Sequence, residues 1–278
     1  MKTLCGLLIS LLVCLTAFPS WAAIVYVGAR TFSTVGVTSV QNVALTSLTG
    51  GTDTAPLAGD FVVVAWCVSG NATPDRALTI KTPGGTDYTL IGSELFANDG
   101  NTTNLRVAYM VMPGTPETSV DLSEVATGGT GALTDGGTAS IFVLRGVHAT
   151  PLEQAAQQAA VLNTMIVNPG SITPTTAGTI IFVVGCGSNS IGAVYTSSDL
   201  TDFRSSTIAD STDSNIGAGY LAWTAGSFDP ATWGGGGTDG VSMSNAWTVV
   251  AFAPAAEAAG SSDVNNCGAL MLLGVRGC

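Results

Sequence analysis

The sequence predicts an all-β protein, an antiparallel β-sandwich of jelly-roll-like kind made of two pseudo-repeated halves. Three observations predict it. The stretch 59–70, GDFVVVAWCVSG, is a glycine-framed run of valines and aromatics, short for a helix and rich in residue types that pack on a pleated surface. The stretch 177–188, AGTIIFVVGCGS, repeats its leading glycine, its apolar run and its cysteine. Glycine is abundant, at 35 residues, and falls mostly in pairs or runs between apolar segments, where turns are needed.

The echo extends beyond these two strands. After the first copy come Asp87-Tyr88, a polar turn at 98–101 and the phrase NLRVAYMV from Asn104. After the second come Asp202-Phe203, a polar turn at 210–214 and NIGAGYLA from Asn215. Each half then crosses a glycine-rich stretch, beginning at Gly128 and at Gly234, and closes on an apolar strand at 140–144 or 247–252. Shared order argues for a pseudo-repeat covering about 57–146 and 175–254, with both halves inside one sandwich domain at 23–254.

Residues 1–22 read as a secretory signal. Lys2 gives the positive start, 4–18 is almost wholly apolar, Pro19 breaks the run, and Ser20-Trp21-Ala22 sets a cleavage site after Ala22. The apolar run falls short of the about 20 residues that cross a bilayer, and no second long apolar run follows, so no transmembrane segment is expected in the mature chain.

Short strands are expected at 24–28, 31–35 and 41–48, forming an outer edge or reaching into a neighbouring subunit. Further strands follow at 77–82, 88–95, 105–111, 120–122 and 140–144, punctuated by Pro83-Gly84-Gly85 and Pro113-Gly114. Helix formers collect at 152–162, LEQAAQQAAVL, after Pro151; a helix of one or two turns, or an irregular strand along the sheet, fits that composition. Beyond Pro254 the pattern stops. Residues 255–266 form a small, polar spacer, and 267–278 a cysteine-bounded apolar tail whose Leu270, Met271, Leu272, Leu273 and Val275 need cover from the sandwich or from a partner subunit.

Charge narrows the function classes. Charged residues make up 10% of the chain against about 25% in ordinary globular proteins, so its surface must be largely Ser, Thr, Asn and Gly. A formal net charge of -11, with one histidine, excludes recognition of a nucleic-acid backbone. Four cysteines remain after the leader is removed, an even number for an oxidising compartment. Cys267 and Cys278 are neighbours whose bridge would remove about 3 kcal/mol of unfolded-state entropy. Cys67 and Cys186 meet only if equivalent strands meet at a pseudo-twofold axis; otherwise both are small buried hydrophobes.

Catalytic chemistry is sparse. His148 directly follows a strand, and no GxSxG phrase sits at a strand-to-helix turn. Asp87, Glu94, Glu117, Asp121 and Glu124 offer carboxylates for glycoside cleavage, but nothing in their spacing pairs them. Asp199, Asp202, Asp210, Asp213 and Asn215 crowd one stretch in which Ca²⁺ could find oxygen ligands, although the loop spacing of a calcium-binding hand is missing and Asx-turns explain the same residues. No other cofactor is expected. Trp223 and Trp247 read as core. Trp233, in a loop before Gly234, can stack on a sugar, anchor a subunit contact, or plug the end of the sandwich.

The phrases AGDFVVVAWC, TDYTLIGSE, LRVAYMV, ASIFVLRGVHATPLE, SITPTTAGTIIFVVG and NAWTVVAF, spread over about 57–253, resemble a group of uncharacterised jelly-roll or concanavalin-like sandwich proteins of tailed phages, prophages and secreted bacterial surface proteins. The resemblance implies a virion-surface, tail-appendage or adhesive role. That group often carries Asp where His148 stands, which lowers the catalytic weight of the histidine, and a cleavable leader shifts the reading from virion toward a secreted surface protein. The expectation is therefore a secreted, non-enzymatic structural or adhesive subunit that associates with itself or with other surface proteins. The alternative is a carbohydrate-binding or glycan-cleaving sandwich with glycans as partners.

Overall fold

The computed structural model describes residues 23–37, 40–71, 76–98, 101–126, 136–162, 170–188, 195–208, 214–231, 233–235 and 243–256. The leader, Asp210, Asp213, Cys267, Cys278 and the apolar tail lie outside them. In chain order the first half carries β1 (Val25–Thr34), β2 (Gln41–Ala44), β3 (Phe61–Asn71), β4 (Arg76–Lys81), β5 (Thr89–Leu90), β6 (Leu95–Asn98), β7 (Asn101–Val111), β8 (Ser119–Ala126) and β9 (Gly136–Arg145). The second carries β10 (Val147–Leu162), β11 (Ile180–Ser188), β12 (Tyr195–Thr196), β13 (Thr201–Thr207), β14 (Ser214–Ala222), β15 (Gly234–Gly235) and β16 (Met243–Pro254). Among the described residues no helix is long and apolar enough to cross a membrane.

Two antiparallel sheets form the sandwich, one in the order β1-β9-β3-β7-β5 with β6 also on β7, the other in the order β10-β16-β11-β14-β13. Each half of the chain builds one of these two large sheets. The first strand of a half pairs with its last, the last with the organising strand, and the organising strand with the one after the polar turn. In the first half the pairs β1–β9, β2–β8 and β3–β7 are nested, the winding of a jelly roll, and β2-β8-β4 forms a smaller outer sheet. In the second half the short pair β12–β15 and the isolated bridge Ile172–Phe228 stand where that outer sheet stands in the first.

Unbroken apolar runs in β3 and β11 follow from burial on both faces, since a strand covered on one side only would alternate. Phe61, Val63, Ala65 and Cys67 point into the layer between the two large sheets, while Val62, Val64, Trp66 and Val68 face the small sheet. Likewise Ile180, Phe182, Val184 and Cys186 enter the central layer, and Ile181 and Val183 face outward under a cover of loops. Rings interlock across the middle, Phe61 on Phe252 at 4.7 Å and Phe142 on Phe182 at 5.3 Å.

The repeat holds at the level of register. Phe61 sits between Val111 and Leu144, and Cys67 between Leu105 and Thr138; Ile180 sits between Ala222 and Phe252, and Cys186 between Ile216 and Ala246. The turn into each organising strand is also shared. Asp60 N donates to Leu57 O at 3.1 Å and Thr179 N to Thr176 O at 3.4 Å, with Gly59 and Gly178 at φ 82° and 80°, a left-handed conformation that favours glycine. Cys67 and Cys186 form a disulfide between the sheets with a Cα–Cα distance of 5.9 Å. Its surroundings are reciprocal: Cys67 Sγ lies 3.6 Å from Asn215 O and Cys186 Sγ 3.7 Å from Asn104 O. Thr103 Oγ1 of β7 donates to Ser244 O of β16 at 2.9 Å, and its counterpart Ser214 of β14 bonds Thr138 Oγ1 of β9 at 3.0 Å. Equivalent residues of the two halves therefore meet about a pseudo-twofold axis at the bridge.

Residues 152–162 are not helical. They belong to β10, whose Ala155, Gln157 and Ala159 pair with Val250, Thr248 and Ala246 of β16, so the neighbouring strand overrides a helical composition. The expected strands at 24–28 and 31–35 fuse into β1, which carries a register shift between Tyr26 and Gly28, and the expected strand at 88–95 divides into β5 and β6.

Because the bridge closes a separation of 119 residues, it restricts the unfolded chain strongly. Replacing both Cys67 and Cys186 by Ala is expected to lower stability by about 2–5 kcal/mol while far-ultraviolet circular dichroism stays β-rich. A double variant that melts with the wild type would show that the bridge does not carry this load.

Candidate functional site

The outer face of the second sheet is covered by loops, and Trp233 lies in that cover. Trp233 is buried, 3% exposed, with its ring edge-on to Phe203 at 4.9 Å and to Tyr195 at 5.7 Å. Gly217 of β14 makes room for it, because a Cβ at that position would stand 2.9 Å from the Trp233 ring and 2.7 Å from Phe203. Trp233 thus plugs the layer, the last of the three roles its sequence position allowed, and is buried away from a stacking or contact role. Tyr195 beneath it is fully enclosed, and burial pushes its hydroxyl far above the ordinary tyrosine range.

Asp202 is committed elsewhere. It takes a positive φ of 46°, accepts a hydrogen bond from Tyr26 Oη, and pairs with Arg204 through Nη2 at 2.8 Å and Nε at 3.1 Å. Arg204 in turn donates to Thr49 O and Thr49 Oγ1, each at 3.2 Å. Burial first, and then the Asp202 carboxylate, hold the Tyr26 proton in place well above the usual tyrosine range. The cluster ties β1 and the 49–50 turn of the first half to β13 of the second, so the carboxylate of Asp202 serves the seam. On the opposite edge of the sandwich Gln157 of β10 does similar work, accepting from Ser93 N at 2.9 Å and donating to Ile91 O at 3.1 Å.

Other candidates are dispersed. His148 is half-buried at the irregular start of β10, and its Nδ1 accepts from Thr150 N at 3.0 Å and meets Thr150 Oγ1 at 2.8 Å, so the ring nitrogen is occupied locally. Glu94 accepts from Leu78 N at 3.1 Å and lies 3.4 Å from Arg106, while Asp87 lies 3.4 Å from Lys81. Asp121 accepts from Asn42 Nδ2 at 2.7 Å. Among the described residues no three His, Cys, Asp or Glu side chains group as metal ligands.

Among the described residues a cavity of about 250 Å³ lies where β14 ends, lined by Asp199, Leu221, Trp223, Thr224, Ser227 and Phe228 among others. Each wall is pinned. Trp223 N donates to Thr179 O at 2.9 Å and Trp223 Nε1 to Gly226 O at 3.0 Å, fixing the half-buried indole. Phe228 exchanges backbone bonds of 2.8 and 2.9 Å with Ile172. Asp199 accepts from Ser197 Oγ at 2.6 Å and from Ala231 N at 2.9 Å, which clasps the two loops together. Neither lysine nor arginine lines the cavity. Sequence reasoning assigned Trp223 to the core because it directly follows a strand; the clue to its partial exposure is the polar, glycine-containing phrase TAGS that comes next.

Comparison of the chain with protein-family models, with curated proteins and with solved structures finds no match.

One anchoring carboxylate generates a pH prediction. Glu153 of β10 accepts from Thr175 N and Thr175 Oγ1, from Thr176 N at 2.9 Å and from Thr179 Oγ1 at 3.0 Å. Burial alone would raise its pKa, but these bonds outweigh burial and hold the carboxyl below its ordinary value. A carboxyl held lower in the folded chain contributes stability that is fully present above the unfolded value of about 4.3 and is lost as pH falls through the folded value. Glu153→Gln should therefore cost about 1 kcal/mol near neutral pH and progressively less in acid, read from urea midpoints across the range. A constant offset between the two proteins at every pH would contradict this.

Proposed function

We propose that this is a secreted, non-enzymatic structural or adhesive protein that acts as a subunit of an extracellular or virion-surface assembly, in keeping with its resemblance to phage, prophage and bacterial surface sandwiches. The observation that carries the reading is the buried Cys67–Cys186 bridge between the two halves, since such bonds persist in oxidising compartments. The leader-like segment 1–22 and the scarcity of charge, at 10%, support the same compartment. Self-association draws support from exposed apolar side chains where β-strands end. Val25 lies opposite Arg145, Val111 opposite Phe61, and Leu152 opposite Phe252, with exposures of 40%, 41% and 40%, and Leu57 is more exposed still. The backbone enters and leaves the described fold beside them, for Gly146, next to Arg145, closely approaches Ala23 and accepts a bond from Ala255 N.

A second reading, carbohydrate binding, is favoured by the cavity in which Trp223 and Phe228 stand beside the Asp199 carboxylate.

Removing residues 257–278 from the secreted protein tests the assembly reading. The truncated protein is expected to keep its β-sheet spectrum and to shift toward smaller species in light scattering coupled to size exclusion. Full-length protein that is monomeric at every concentration, with truncation changing nothing, would sink the assembly reading.

A further inference from the structure

We infer that the cavity at the end of β14 binds one ring of a neutral sugar, with Trp223 as the stacking platform and Asp199 as the hydroxyl acceptor; this rests on the carbohydrate-binding reading above. The indole N–H of Trp223 is used internally on Gly226 O, so what the residue presents to the cavity is apolar ring surface, matched by the C–H face of a pyranose. Phe228 supplies a second ring whose backbone is held by Ile172. Opposite chemistry comes from Asp199. Its two oxygens each receive one neutral hydrogen bond, from Ser197 and Ala231, and a carboxylate has about four acceptor positions, so two stay open to ligand hydroxyls.

Other ligand classes fit less well. An anionic group would meet Asp199 with no lysine or arginine in the lining and a chain of formal net charge -11. A purely aromatic ligand would cover the rings and leave the carboxylate without donors. A cation would satisfy Asp199 and both rings, but the Thr224 hydroxyl, which donates as well as accepts, and the Ser227 oxygen, which accepts while its proton goes to Ile172 O, match sugar hydroxyls, and a donor gives nothing to a quaternary ammonium. Size points the same way. At about 250 Å³ the cavity is smaller than the roughly 300–1,000 Å³ of most ligand pockets, so it holds a single ring and leaves the rest of a glycan in solvent.

Calorimetric titration of the full mature protein with methyl glycosides of neutral hexoses and with neutral oligosaccharides, and with choline and arginine as cationic controls, decides the matter. At least one neutral sugar should bind; Asp199→Asn should weaken it by about tenfold, and Trp223→Ala by more, at unchanged circular dichroism. Because Trp223 also packs on the outer core, Asp199→Asn carries the test if the tryptophan variant unfolds. Sugar binding that survives Asp199→Asn unweakened places the sugar elsewhere and overturns the site, while carbohydrate binding as such stands. No sugar bound at millimolar concentration removes both the site and the carbohydrate-binding reading. Choline or arginine bound more tightly than every sugar makes the cavity a cation site and overturns the proposal.

Discussion

Everything in this fold depends on the apolar layer between the two large sheets and on the covalent bond that crosses it. Facing sheets bury Phe61, Val63, Phe142 and Leu144 of one half against Phe182, Val184, Val250 and Phe252 of the other, and Cys67 is joined to Cys186 within the same layer. Apolar burial supplies the driving force, but it is non-directional and would tolerate sliding. Direction comes from polar groups. Reciprocal contacts of the sulfurs with Asn104 and Asn215, and the bonds of Thr103 and Ser214 to the opposite sheet, fix how the halves are aligned. At the lateral edges the Tyr26, Asp202 and Arg204 cluster and the Gln157 amide hold the sheets from either side.

A sheet with an apolar central strand needs cover on its other face as well, and the two halves meet that need differently. The first half adds three strands, β2, β8 and β4, which bring Val43, Val120, Leu122, Leu78 and Ile80 onto Val62, Val64 and Trp66. The second half has loops and large rings instead, with Tyr195 and Trp233 over Val183, Trp247 and Val249. Loops fit a sheet less completely than strands do. The cavity beside Trp223 arises in this irregular cover, so the departure from the repeat is also where a ligand could enter.

The parts of this architecture that were readable in the sequence are those governed by burial on both faces. Gly59 and Gly178, the apolar runs after them and Cys67 and Cys186 stand out because no exposed strand would look the same. The repeat left pairing of those cysteines conditional on equivalent strands meeting at an axis, and the structure meets that condition. Less readable were elements defined by their neighbours. The alanines and glutamines of β10 have little strand preference of their own and become a strand because β16 offers a register. The roles of the tryptophans were hard to separate for a related reason. Trp233 precedes four glycines yet is drawn inward by Phe203, Tyr195 and the bare backbone of Gly217, while Trp223 leaves its strand at the rim and keeps part of its ring outside. The use of Asp202 at the seam likewise depends on Tyr26 and Thr49, far away along the chain.

The central claim is that the two halves form one interlocked structure about the Cys67–Cys186 bridge, and native-state hydrogen exchange on the oxidised mature protein tests it most directly. Amides of β3 and β11 should be among the slowest to exchange, should report the same opening free energy, and should lose protection together when the bridge is reduced. Protection confined to one of the two strands, or loss on reduction in only one half, would show that the halves open independently and would contradict the account.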